Sequence, residues 1–265
     1  MKKLQNIANK RRSQFVNTAL TAVWLIFLLF VWQGVTAGFH ISEWMLPKPT
    51  EVWQELKSLQ WMVWPNTWQT AKEVLIGLAF SIMIGAAIAV FMDMVPVFRM
   101  LVRPLLVVSQ TIPIVAIAPL LIVWFGFGLQ SKIIVVILIC FFPLALSILE
   151  GFQTVDDDLV KLLKTMHASK WQLYRKVKFP AVLPYFFSGL KIAVTYSVMG
   201  AIIGEWLGAS EGLGVMLTRA TKSFMTARLF AISAVIIGLT FLLYGAVECL
   251  QRLSAPWVYR KEDHQ

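Results

Sequence analysis

Read for charge alone, the chain alternates between long uncharged runs and short polar connections. Ser13–Ser42 holds 30 residues without a charge, Val74–Met92 holds 19, Pro104–Ser131 holds 28, Ile133–Leu149 holds 17 and Leu229–Val247 holds 19. Ala181–Gly204 is interrupted only by Lys191. A helix needs about 20 apolar residues to cross a bilayer, so the pattern predicts an all-α, polytopic membrane protein with six transmembrane helices. The first is expected at about Phe15–Val35, retained rather than cleaved, because the stretch after it is bulky where a signal peptidase needs small residues. The third run contains Pro113, Pro119, Gly126 and Gly128; a span of about 20 residues followed by a non-helical tail fits it better than one straight helix. Gly77, Gly85, Ala86, Ala87 and Ala89 give the second span a small face, as close helix packing in lipid favours.

Composition agrees and narrows the options. Hydrophobic residues make up 58% of the chain and charged ones only 14%, well below the roughly 25% of soluble domains. The net charge is +10, but the aromatic residues lie inside apolar runs rather than on a basic face, which argues against nucleic acid as a partner. Cys140 and Cys249 lie far apart in apolar segments with no redox or metal spacing, and the three histidines are scattered. There is no Gly-x4-Gly-Lys-Ser/Thr loop, so neither a cofactor nor an active site is expected and ATP would have to be handled by another polypeptide.

Six spans place both termini on one side, and the distribution of Lys and Arg says which. Five basic residues precede the first run, Arg99 and Arg103 follow the second, six fall between Lys161 and Lys178, and Arg252, Arg260 and Lys261 close the chain, 16 of the 24 in all. Cytoplasmic loops are rich in these residues, so both ends are expected in the cytoplasm. The corresponding organisation is a cytoplasmic tail at 1–14, a first helix and external connection at 15–66, a five-helix core at 67–250 and a cytoplasmic tail at 251–265. Thr154 to Pro184 then also faces the cytoplasm.

That stretch, TVDDDLVKLLKTMHASKWQLYRKVKFPAVLP, is the one long polar interruption. Thr154 with Asp157 makes a capping-box-like start near Val155, and Asp156, Asp157 and Asp158 suit the positive end of a helix. Leu159, Leu162, Leu163 and Met166 recur on one helical face, with Lys161 and Lys164 off it. Ser169 and Gln172 repeat the capping signal. The spacing predicts a break near His167 and Ala168 and a second short helix ending before Pro180. The apolar face suits either a partner protein or the chain's own helix ends. Lys170, Arg175, Lys176 and Lys178 are expected near anionic headgroups.

From ASKWQLYRKVKFPAVLPYFFSGLKIAV the chain resembles the cytoplasmic loop region of permease subunits of bacterial ABC importers, in the group that handles nitrate, sulfonates, taurine and thiamine-precursor pyrimidines. Further blocks extend the likeness over most of the chain: LPKPTEVWQEL, IPIVAIAPLLIVWFGFG and GEWLGASEGLGVML. In that family the loop reads Glu-Ala-Ala, three residues, Gly, nine residues, then Ile-x-Leu-Pro. Here Lys161, Leu162 and Leu163 occupy the first positions, His167 that of the Gly, and Val177, Phe179 and Pro180 the last. The Glu and Gly are absent, which bears on the turn because Gly adopts positive φ more freely than His. The resemblance implies a type I importer permease fold in the bacterial inner membrane and a coupling loop at 150–180 that includes Ala168, Ser169 and Trp171. It also implies a homodimer with two cytoplasmic ATPase subunits and an extracytoplasmic substrate-binding protein. The cargo candidates are a thiamine-precursor pyrimidine, slightly favoured, or a sulfonate-, taurine- or nitrate-like anion.

Other polar residues in or near the spans have two readings each. Ser109, Gln110 and Thr111 in the third span, and Thr195, Tyr196 and Ser197 in the fifth, either bond neighbouring helices or line a translocation path. Lys191 either snorkels or bonds locally, or belongs to that path. Glu205 and Glu211, in the external connection, either meet the binding protein or face water. An ion-gradient-driven secondary transporter is the rival reading; it would show coupling acids inside spans and internal repeats, and the uncharged runs show neither.

Overall fold

The computed structural model describes residues 2–257, with side chains from Ala19 onward. Every regular element among them is helical: α1 (Lys2–Gly38), α2 (Pro49–Ser58), α3 (Gln60–Met94), α4 (Pro96–Ser109), α5 (Ile114–Phe125), α6 (Leu129–Gln153), α7 (Asp157–Thr165), α8 (Lys170–Leu173), a π-helical turn (Tyr174–Lys178), α9 (Phe179–Trp206), α10 (Leu213–Lys222) and α11 (Thr226–Ser254). Five stretches are long and apolar enough to cross a membrane, in α1 from Ala19, α3, α6, the continuous Lys170–Trp206 stretch and α11. Counting α4 and α5 as one broken span makes six. The basic residues of the first twelve positions lie outside the described side chains, and Arg260 and Lys261 outside the described residues.

The chain forms two compact units. One comprises the N-terminal part through Trp61 together with Arg219–Ile232. Its helices are joined by the Trp32 and Phe230 rings, 5.5 Å between centroids, by an Arg228–Glu55 ion pair of 2.6 Å, and by the Thr226 hydroxyl donating to the Trp44 carbonyl. The lead into α2 is fixed by Lys48, whose backbone N–H and ammonium both donate to Glu51.

The other unit comprises Met62–Thr218 and the chain from Ser233 on. Its centre is the packing of α6 along α9, with Val136, Cys140, Leu144 and Ile148 meeting Leu190, Ala193, Val194 and Val198 in one buried cluster. Lipid offers no hydrophobic drive between helices, so close approach of backbones must supply the contact. Gly189 provides it on α9: a Cβ there would lie 2.7 Å from the Ser147 Cβ and 3.4 Å from the Leu144 Cα. The small face expected on the second span is used the same way, with Gly77 against Val136 and Gly85 against the Phe141 carbonyl.

The third run departs from the expected span. The helix starts at Pro96, before the run, carries Arg99 and Arg103, stops at Ser109, and restarts at Ile114 with the two parts bent by 100°. Pro113 causes the break. It has no N–H to donate, and it pushes the preceding residue out of the α region. Pro119, tolerated inside α5, causes none.

Candidate functional site: the α6–α9 loop and the cavity at the helix break

The first helix of the loop, α7, begins two residues later than expected, at Asp157. The Thr154 hydroxyl donates back to the Gly151 carbonyl and so closes α6. The cap of α7 is Asp156, whose carboxylate accepts from the Asp158 N–H. The end of α7 falls where the spacing predicts it. His167 sits at φ +59°, its N–H donates to the Lys164 carbonyl, and the Ala168 N–H donates to the Leu163 carbonyl. This pair of bonds defines the turn that normally places Gly at the left-handed residue. A His therefore holds the left-handed position that this turn normally gives to Gly. Ser169 and Gln172 then form the predicted capping box.

The second helix does not stop before Pro180. It runs through the π turn, where the Phe179 N–H reaches back to Tyr174, and on into α9. The wider turn absorbs a proline that lacks an N–H of its own. Asp93, at the end of α3, locks this region: it accepts from the Tyr174 hydroxyl and from the Lys178 ammonium at 2.5 Å. Lys178 also lies 4.8 Å above the Tyr174 ring, and Phe152, Tyr174 and Phe179 meet in a cluster of rings. Lys178 is thus part of an internal anchor rather than a headgroup contact. In the sequence Asp93 only marks the end of an uncharged run; its pairing depends on a lysine 85 positions away.

Ahead of this anchor the apolar face of α7 is bare. Leu162 is 56% exposed, Met166 70% and, on α8, Trp171 66%. Leu159 is exposed and Leu163 half-buried. Lys161 pairs with Asp158 on its own helix. Of the remaining loop residues, Ala168 and Val177 are half-buried and Phe179 and Pro180 exposed.

At the α4–α5 break lies a cavity of about 530 Å³, lined by Ser109, Gln110, Pro113, Phe142, Tyr196 and Met199 with further apolar residues. Three of the candidate path residues, Ser109, Gln110 and Tyr196, therefore come together. Thr111 lies beside them, exposed, with its hydroxyl donated to the Val108 carbonyl. Lys191 pairs with Glu248 on α11, Thr195 donates back to the Lys191 carbonyl, and Ser197 is buried against the Val194 carbonyl.

Glu205 and Glu211 separate. Glu211 is exposed, whereas Glu205 is 1% exposed and is not a surface group. Its carboxylate turns inward to accept from the Thr70 hydroxyl at 2.6 Å and the Gly214 N–H at 2.5 Å. The Leu213 N–H reaches the same Thr70 oxygen, and the Gly212 N–H donates to Asn66. A Cβ at Gly212, at φ +127°, would collide with the Glu205 carboxylate. Beside this cluster Lys132 pairs with Glu73 at 2.9 Å, both buried. Sequence reasoning missed Glu73 and read Glu205 as a surface group, because each lies just beyond an uncharged run and becomes buried only when α3, α6 and α9 pack.

The comparisons with known proteins identify the frame that carries these features. Residues 77–260 match the family described as the binding-protein-dependent transport system inner membrane component. The chain belongs to this family. The permease is 35% identical over 223 residues to a probable ABC transporter permease of Haemophilus influenzae, covering 84% of this chain and 91% of that one. It is 34% identical over 236 residues to the formylaminopyrimidine transport permease protein of Halalkalibacterium halodurans, with 89% and 94% covered. Its fold matches a chain of the MetNI methionine ABC transporter with a TM-score of 0.64, at 20% identity, covering 74% of the permease and 97% of that chain. The permease is a multi-pass membrane subunit of an ABC importer.

Proposed function

We propose that the permease moves a small solute into the cell by alternating access, driven through the loop at 150–180 by two cytoplasmic ATPase subunits. In this reading a second copy completes the pathway, an extracytoplasmic binding protein delivers cargo, and both termini face the cytoplasm. The cargo is a thiamine-precursor pyrimidine or a sulfonate-, taurine- or nitrate-like anion; the likeness to a formylaminopyrimidine transport permease favours the former.

One observation carries the reading. Leu159, Leu162 and Met166 stand exposed on a short helix, while the segment behind them is tied down by Asp93, Tyr174 and Lys178. An apolar face costs free energy in water; held on a rigid base, it suits a partner that pushes. When the ATPases close on ATP, a helix seated in their cleft transmits the movement through Lys170–Trp206 as one continuous element.

The test is Leu162→Glu. The variant is expected to fold, to lose the ATPase from detergent co-purification and to lose uptake together. Retention of both the ATPase and uptake overturns the assignment of the loop.

A further inference from the structure

Where α3, α6 and α9 meet, three charged side chains are shut away from solvent: Glu73 at 0% exposure, Glu205 at 1% and Lys132 at 7%. All three lie on helices long enough to cross a membrane. Two carboxylates against one ammonium leave an excess of one negative charge. The other charges on the surrounding elements do not cancel it. Lys72 on α3, Glu211 ahead of α10, and Arg219 and Lys222 on α10 are exposed, and α5 carries no charge. Further along the same helices come Asp93, Glu150 and Lys191; the nearest in sequence, Lys191, precedes Glu205 by 14 residues, about 20 Å of helix. The amide end of α10, through the Gly214 N–H, favours a charge on Glu205, but the carbonyl end of α9 opposes one.

The hydrogen bonds show a second deficit at the same point. Lys132 and Gln69 both donate to one Glu73 oxygen, Oε1, while Glu73 Oε2 is buried without a partner. Glu205 is served by the Thr70 hydroxyl on one oxygen and by the Gly214 N–H on the other. The two carboxyl groups lie within hydrogen-bonding reach of each other. Ionised carboxylates have nothing to donate. Two of them here would set like charges together and leave an acceptor orphaned, and both are costly in a buried site. Such closeness suits a proton rather than a metal ion, and among the described residues no group of three or more His, Cys, Asp or Glu is fit to hold a metal.

We propose that Glu73 and Glu205 bind one proton between them and that this proton latches the turn from α9 into α10. It supplies the missing donor and brings the charge of the cluster to zero, and it belongs to the pair rather than to either residue. The turn depends on it because Gly212, at φ +127°, packs onto the Glu205 carboxyl with no room for a Cβ, and the Gly214 N–H ends on that carboxyl. Losing the proton sets two like charges against each other and drives the Glu205 carboxyl away. The start of α10 then leaves Thr70 and Asn66, which now accept from the Leu213 and Gly212 N–H groups. The site is separate from the loop and from the cavity at the helix break, and it is the same whichever solute the permease moves.

The experiment uses the full chain in lipid nanodiscs and reads the protonated carboxyl directly, by its infrared C=O band. At neutral pH the parent is expected to show the band of a buried carboxylic acid, and Glu73→Gln and Glu205→Gln are each expected to abolish it. Gln replaces the O–H of the acid with an amide N–H, so Glu73→Gln is expected to keep the thermal midpoint of the parent. Raising the pH until the band fades is expected to quicken amide exchange at Gly214, corrected for its intrinsic rate, about tenfold in the parent, the scale of one lost hydrogen bond. In Glu73→Gln the corrected exchange stays flat. No band in the parent, or a band that survives in both variants, overturns the proposal. So does a Glu73→Gln variant far more stable than the parent, which would reveal a charge left uncompensated, or a Gly214 amide that answers pH alike in parent and variant. A midpoint that moves when sodium is exchanged for choline also overturns it, by giving the site to a cation. Glu205→Gln repeats the comparison should Glu73→Gln fail to fold. These readouts need neither ATPase nor solute, so failure here is distinct from failure of the Leu162→Glu test, which reads the loop alone.

Discussion

At position 167 the chain turns through the left-handed region with a histidine, at φ +59°, where a side chain normally costs about 1 kcal/mol or more. Replacing His167 with Gly relieves that strain, and replacing it with a β-branched residue deepens it. Amide exchange at Ala168, whose N–H closes the turn, is expected to slow in His167→Gly and to quicken in His167→Val; equal rates in all three forms would mean the turn carries no strain. A second residue-scale effect sits behind the turn. Asp93 and Lys178 are both largely buried, with side-chain exposures of 7% and 15%. Removing one partner leaves the other charge stranded, at a cost of about 3 kcal/mol. Asp93→Ala and Lys178→Met are each expected to lower the thermal midpoint in detergent. The double variant should lose less than the two single losses together, since their coupling is at least about 1 kcal/mol.

Among the elements, α6 and α9 hold together because glycines let their backbones approach, and this can be separated from helix propensity. Gly189 has no room for a methyl group, whereas nothing lies within 4 Å of the Cβ position at Gly238 on α11. Gly189→Ala is therefore expected to destabilise by about 1–3 kcal/mol, while Gly238→Ala is neutral or stabilising by up to about 1 kcal/mol. Matching thermal shifts would show that packing at Gly189 is not close. The connection from α9 to α10 is set by a different kind of contact, the inward carboxylate of Glu205. Glu205→Ala leaves the Gly214 N–H without its acceptor, while the Thr70 hydroxyl falls back on the Asn66 carbonyl, at about 1–3 kcal/mol for the orphaned buried group. Faster amide exchange at Gly214 in this variant, with α6 unaffected, is the expected signature.

For the whole molecule, the loop proposed to take the drive and the cavity at the helix break differ in kind. The loop is a protruding apolar face on a braced base, and the cavity is a charge-free recess at a broken helix. They share the continuous Lys170–Trp206 stretch, which carries Trp171 at one end and Tyr196 further along. Movement imposed at the loop therefore reaches the cavity wall through one hydrogen-bonded helix rather than through a chain of loose contacts. A proline inserted into that helix at Ile192 removes a backbone hydrogen bond and adds a clash worth about 3 kcal/mol or more. Ile192→Pro is expected to retain ATPase co-purification and lose uptake; retained uptake would show that rigidity of this helix is dispensable.

The periodicity of charge and the length of apolar runs determined the helical class, the near-boundaries of the spans and the two-part loop with its break at His167, because these depend on interactions within a few residues. The capping box at Ser169 and the left-handed turn are local in the same sense. What only the tertiary structure decided is where each polar group goes once helices pack: Asp93 to Lys178, Lys191 to Glu248, Glu205 to Thr70, and Ser109, Gln110 and Tyr196 to one cavity. Those partners lie tens of residues apart or more, and no spacing rule along the chain encodes which helix will supply the donor. The broken third span was only half legible for a related reason: Pro113 was visible as a breaker, but the 100° bend depends on what α5 packs against, Val135 and Ile203 among others.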